Sequence, residues 1–145
     1  MIRSENDQAK HQSLIEELVE LFKEFGYSIS GADGIEGYYP PIELRNDGYG
    51  DQEDKMPDVY AFDKVTNRYI IGEAKTGKND FETEHALTQY NVFLDQLDKR
   101  TRMRALCYII VPSSYAVEFN TLITHYIHRE LWENIVVVQS KRWID

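Results

Sequence analysis

Asp58, Glu73 and Lys75 are the residues of this chain whose types and spacing can do chemistry. Pro57-Asp58 stands at the head of the run Val59-Tyr60-Ala61-Phe62, and Glu73-Ala74-Lys75 closes a second run that begins at Arg68. Side chains alternate along a strand, so Glu73 and Lys75 project from one face while Ala74 points away. If the two runs form a hairpin closed by residues 64–67, pairing by equal offsets sets 63 against 68 and 58 against 73. Two carboxylates facing each other across a ladder are destabilising unless positive charge lies between them. A divalent cation resolves the conflict, with Lys75 on the same face supplying part of the compensation. Mg²⁺ binds through one or two carboxylates, keeps several waters and takes its remaining positions from substrate phosphates. Asp58, Glu73 and the main-chain carbonyl of Ala74 offer that set, with Mn²⁺ as a substitute. The ion lowers the pKa of a bound water and neutralises phosphoryl charge, while Lys75 orients the hydroxide or stabilises a pentavalent transition state. The chemistry expected is phosphodiester hydrolysis.

Other elements must hold these residues in place. From His11 to Phe25 the residues Leu14, Ile15, Leu18, Val19, Leu21, Phe22 and Phe25 follow helical spacing, and Gly26 supplies a stop. Tyr27 to Ser30 begins a first strand. Residues 31–56 contain five glycines and the pair Pro40-Pro41, which predicts an acidic loop or a loose strand pair. After the hairpin, the pattern predicts a helix from about Asp80 to Lys99, an apolar strand from Arg104 to Val111, a helix from Ser113 or Ser114 to about Leu131, and a last strand from Ile135 to Val138. Strands apolar on both faces and alternating with helices imply a covered central sheet, an α/β fold in the order αβββαβαβ. At 145 residues the chain fits one domain, 1–145.

Pro57-Asp58, fourteen intervening residues and Glu73-Ala74-Lys75, set on a hairpin between helices, resemble the PD-(D/E)XK nuclease superfamily over roughly residues 11–140. The outline, a short chain whose first helix ends in Phe-Gly-Tyr, is also similar to the archaeal-type Holliday junction resolvases. The resemblance implies a three-layer α/β/α, restriction-endonuclease-like core with a central mixed sheet. It implies metal-dependent endonuclease cleavage of DNA, with Asp58 and Glu73 as ligands and Lys75 as the catalytic lysine. Many members add an acidic residue from the first helix; at 100° per residue Glu17 flanks the apolar stripe, whereas Glu16 and Glu20 lie on the far side. Some branches carry a glutamine and a tyrosine in the following helix, matched here by Gln89, with Phe93 four residues on and Tyr90 adjacent. Cleavage of two strands would call for a homodimer or a partner protein.

The bland readings are surface carboxylates for Asp58 and Glu73 and a solvated flank for Glu17. His11, on the apolar stripe, and His85, one turn before Gln89, read as structural residues, and His125 with His128 lacks a third ligand. The run Lys99, Arg100, Arg102, Arg104, together with Lys141 and Arg142, is either a phosphate-tracking edge or a helix end matched to its dipole. Ten tyrosines offer stacking partners for bases, though most such rings pack in cores.

Sixteen basic against twenty-five acidic residues give a net charge of −9, which on its face disfavours nucleic acid. Residues 31–63 alone hold nine carboxylates against two cations, so part of the excess belongs to the expected metal site. The rival expectation is a catalytically inactive module that keeps the nuclease fold and docks a basic partner protein. One cysteine excludes a disulfide framework, and no apolar run approaches the roughly 18 residues that span a bilayer. A cytoplasmic protein with no membrane partner is the expectation.

Overall fold

The computed structural model describes residues 5–77 and 80–145. The chain runs α1 (Glu5–Glu24), β1 (Ser28–Ala32), β2 (Val59–Asp63), β3 (Arg68–Ala74), α2 (Glu84–Leu94), β4 (Leu106–Val111), α3 (Ala116–Tyr126) and β5 (Ile135–Gln139), with 3₁₀ turns at Ser113–Tyr115 and Arg129–Asn134. The fold is α/β, built on an open five-stranded mixed sheet in the order β1-β2-β3-β4-β5. β1, β2 and β3 pair antiparallel; β3, β4 and β5 pair parallel. No helix among the described residues is long and apolar enough to cross a membrane.

The period of two along the central strands divides the core. Ile70 and Ala74 of β3 and Tyr108 and Ile110 of β4 pack with Leu14, Ile15, Leu18 and Phe22 of α1. Ile71 of β3 and Cys107, Ile109 and Val111 of β4 pack with Tyr90 and Phe93 of α2 and Phe119 and Leu122 of α3. Each of these strands is thus apolar on both faces because each face meets a helix. At Gly72 the helix comes closest: a Cβ there would stand 3.1 Å from the Phe22 ring and 3.2 Å from Leu18 Cδ1. A glycine next to Glu73 therefore lets α1 lie directly on β3.

Helix lengths depart from expectation for local reasons. α1 begins six residues before His11, because Asn6 to Lys10, polar but for Ala9, form a largely exposed turn that adds no apolar period. It ends as expected, with Gly26 at φ 77° and the Tyr27 N–H donating to the Phe22 carbonyl at 3.0 Å, a Schellman closure. α2 is shorter than the Asp80–Lys99 span. Thr83 caps its start by accepting the Ala86 N–H, and past Asp95 the Asp98 carboxylate takes the Arg100 and Thr101 N–H groups, turning the chain. The third helix breaks at the extended Ile127, so His125 and His128 fall on different elements.

Candidate functional site

The hairpin register is the one expected from its turn. Asp63 pairs Arg68 and Val59 pairs Gly72, which brings Asp58, the residue before β2, beside Glu73. The Asp58 N–H donates to Glu73 Oε1 at 3.2 Å, and the Ala74 N–H donates to Asp58 Oδ2 at 2.8 Å. The Lys75 N–H points the other way, to the Ile110 carbonyl in β4 at 3.0 Å. Across a trans peptide C=O and the next N–H are antiparallel, so the Ala74 carbonyl faces the Asp58 edge. Two carboxylates and one peptide oxygen thus converge at the mouth of the hairpin.

Both carboxylates are buried, Asp58 at 7 % and Glu73 at 2 % exposure. Burial, and then the neighbouring Asp58 charge, push the Glu73 carboxyl well above its usual range, and Lys75 opposes this only in part. Burial acts the same way on Asp58, but the His11 contact, the Glu73 hydrogen bond and the Ala74 N–H outweigh it and hold that carboxyl low. One member of the pair is stable as an anion and the other is not, the signature of two acids sharing one volume. A cation between them would remove the penalty on the second charge.

Lys75 is buried at 3 % exposure on the same face. Its Nζ lies 3.2 Å from Glu73 Oε2, donates to Gln89 Oε1 of α2 at 2.5 Å, and stands 5.6 Å from the Tyr90 ring centroid. Gln89 is therefore at the site, holding the ammonium. The aromatic beside it is Tyr90; Phe93 is fully buried in the core beneath α2.

The sequence-chosen Glu17 is elsewhere, and this corrects the expectation. Its carboxylate accepts the Ser140 hydroxyl at 2.5 Å and the Lys141 N–H at 2.8 Å, pinning the end of β5 to α1. His11 is the α1 residue at the cleft, with Nε2 3.2 Å from Asp58 Oδ2. Glu17 lies six residues further on, roughly 9 Å along the axis, over a different part of the sheet. Glu17→Ala is accordingly expected to lower stability by about 1 kcal/mol, read by chemical denaturation, and to leave the Asp58–Glu73 pair undisturbed. Arg142 is likewise spent, on Glu16 at 3.0 Å and Glu20 at 2.8 Å, so the basic edge supposed to join it to residues 99–104 does not exist.

A cleft of about 620 Å³ opens over these residues, and six carboxylates line it, those of Asp51, Glu53, Asp58, Glu73, Asp80 and Glu84. Its outer wall was not read from the sequence. Gly50 sits against Thr88 of α2, where a Cβ would overlap the Thr88 hydroxyl, so the 46–55 loop lies flat over the helix. That places the Lys55 ammonium, with its side chain 1 % exposed, 2.7 Å from Asp51 Oδ2, 3.5 Å from Glu53 Oε2 and 2.8 Å from His85 Nδ1. An ammonium only donates, so His85 accepts at Nδ1 and carries its proton on Nε2. Burial and the charges of Lys55 and Lys75 hold the His85 pKa below its ordinary value. Asp51, Glu53 and His85 are close enough to ligate an ion, with their donor atoms within 4.8 Å of one another; Lys55 already supplies the positive charge there. The only sequence trace of this wall is the alternation Asp51, Glu53, Lys55 leading into Pro57-Asp58. No family model matches the chain, and neither a curated protein nor a solved structure matches it.

Proposed function

We propose that the chain is a metal-dependent endonuclease of the PD-(D/E)XK kind, with a three-layer restriction-endonuclease-like core, hydrolysing phosphodiester bonds in DNA. The observation that carries the reading is the meeting of buried Asp58 and Glu73 just beyond the last paired residues of the hairpin, with the Lys75 ammonium 3.2 Å from the second carboxylate. Asp58, Glu73 and the Ala74 carbonyl are all-oxygen donors of the kind a hard cation takes, and they would hold Mg²⁺, or Mn²⁺ in its place. When bound, the ion supplies positive charge to a phosphoryl group and lowers the pKa of a water.

The protein's own residues do the rest. Lys75 is kept straight by Glu73 and Gln89, so its third proton is free to orient the attacking water or to meet charge that develops on the phosphoryl oxygens. Burial among Tyr90 and the sheet makes that charge count for more than it would in water. His11 fixes the rotamer of Asp58. Cutting one strand needs only this set, and cutting two calls for a second copy or a partner.

A second reading has one observation in its favour. Six carboxylates line the cleft, which suits a basic partner protein better than a bare duplex, and a nuclease fold without the reaction would keep the same geometry. Incubation with single-stranded, duplex and branched DNA in Mg²⁺ separates the two. The parent is expected to cut at least one of these, and Lys75→Met to cut it slower by a factor on the order of 10² to 10³. A parent that cuts none, or a variant that cuts as fast, overturns the nuclease reading.

A further inference from the structure

Unpaired positive charge gathers at the end of the sheet remote from the cleft. Lys64 in the β2–β3 turn and Lys99, Arg100 and Arg102 in the 95–104 loop are exposed, and Arg68 and Arg104 are half-buried. The two segments are stitched into one surface. Arg68 Nε donates to the Arg104 carbonyl at 3.0 Å, the Thr101 hydroxyl donates to the Asn67 carbonyl at 3.0 Å, and the Arg100 guanidinium reaches Asn67 Oδ1 at 3.4 Å. Among the described residues none of these six cations has a carboxylate partner, whereas Arg45, Lys55, Lys75 and Arg142 each have one.

The nearby acids offset this charge only in part, four carboxylates (Asp63, Asp98, Glu130 and Glu133) against six cations. Asp63 is turned onto the Val65 N–H and the Thr66 hydroxyl, and Asp98 onto the Arg100 and Thr101 N–H groups. Glu130 and Glu133 share a hollow with Arg68, Arg102 and Arg104 but leave Lys64, Lys99 and Arg100 outside it. The loop is fixed: Arg102 holds a left-handed backbone, φ 63°, secured by its N–H to the Asp98 carbonyl at 2.8 Å. A conformation that a residue with a Cβ rarely adopts is thus maintained, and it presents an arginine to solvent.

We propose that this surface binds the phosphate backbone of the nucleic acid that the cleft cuts. The inference rests on the phosphodiesterase reading, and it answers a difficulty in that reading: the cleft's cations, Lys55 and Lys75, are already engaged with its own carboxylates and add little attraction for a polyanion. Attraction must come from another part of the molecule, and this is the concentration of unpaired cations among the described residues. Four of the six are arginines, whose planar fork matches phosphate oxygens. β3 runs from Arg68 to Ala74, so roughly 20 Å separates surface and cleft, about six base pairs of duplex. A substrate engaging both must extend that far beyond the cut.

The test compares two double variants of equal charge change in the full chain, Lys99→Glu with Arg102→Glu at the surface and Lys23→Glu with Lys141→Glu away from it. Binding of a labelled duplex is followed by fluorescence anisotropy in EDTA across a salt series. The surface variant is expected to lose at least about tenfold in affinity and to flatten the plot of log K against log salt by about two, one for each lost phosphate contact. The control is expected to keep the parent's slope, and Mn²⁺ titration of the surface variant to match the parent. Equal losses in the two variants, or an unchanged slope in the first, overturn the proposal. So does binding of anionic-lipid vesicles, but not duplex, that the surface variant abolishes. A parent that binds duplex here yet never cuts it sinks the nuclease reading and leaves the surface standing; a surface variant that binds and cuts like the parent does the reverse.

Discussion

Asp58→Asn is expected to weaken Mn²⁺ binding at the Asp58–Glu73 pair roughly 100-fold or more. The amide keeps the shape of the side chain and can still accept the Ala74 N–H that Asp58 Oδ2 takes at 2.8 Å, so the hairpin has no reason to open. What disappears is one of the two charges that make the Asp58–Glu73 mouth attractive to a cation. Substitutions beside a metal ligand typically lower affinity 10- to 100-fold, and loss of a ligand charge should exceed that range, roughly 100-fold or more by calorimetric titration with Mn²⁺. Cleavage in Mg²⁺ should fall on the order of 10³-fold, since nucleophile activation and phosphoryl charge both depend on the ion. The titration also discriminates between two places in the cleft. If Mn²⁺ binds Asp58→Asn as tightly as the parent, the ion belongs to Asp51, Glu53 and His85, and the Lys55 ammonium must leave to admit it.

The contrast between what was legible and what was not follows from how each kind of pattern carries position. A hairpin register is fixed by strand period and turn length, both local, so the meeting of residues 58 and 73 could be counted from the sequence. Helical phase gives only the angle around an axis. It marked Glu17 as facing inward, but it could not say which turn of α1 lies over the strand ends, and that turn carries His11. The wall built by Asp51, Lys55 and His85 depends on a loop closing across Thr88 of α2, a contact between residues nearly forty positions apart that no periodicity encodes. Gln89 came from the resemblance, whose motif places a glutamine on the helix after the hairpin; the choice of Tyr90 over Phe93 was not legible, since only packing decides which ring enters the core. The supposed basic edge failed in the same way. Lys141 and Arg142 follow β5 close to α1, whereas residues 99–104 lie at the far end of β3 and β4.

In metal-free buffer, parent stability measured against Glu73→Gln is expected to fall as the pH rises above 4.5, the ordinary value for this carboxyl. Burial and the Asp58 charge raise the folded-state pKa, so over the window from 4.5 up to that raised value the native chain still holds a proton that the unfolded chain has released. The native state then binds more protons than the unfolded state, and stability must decrease with pH, by up to about 1.4 kcal/mol per pH unit for one group. Asp58 works in the opposite sense and in a different window. Its lowered pKa contributes stability that is present above 3.8 and lost below it, so it does not disturb the slope above 4.5. The informative quantity is the slope of the difference between parent and variant, because the amide next to Lys75 adds its own constant cost. Saturating Mn²⁺ should flatten the slope by replacing the missing positive charge, and should stabilise the parent by about 2.7 kcal/mol at a hundred times its dissociation constant while leaving Glu73→Gln much less changed. A pH-independent difference in EDTA would mean that Glu73 is already ionised against Lys75 alone, and the electrostatic case for a cation at this pair would be lost.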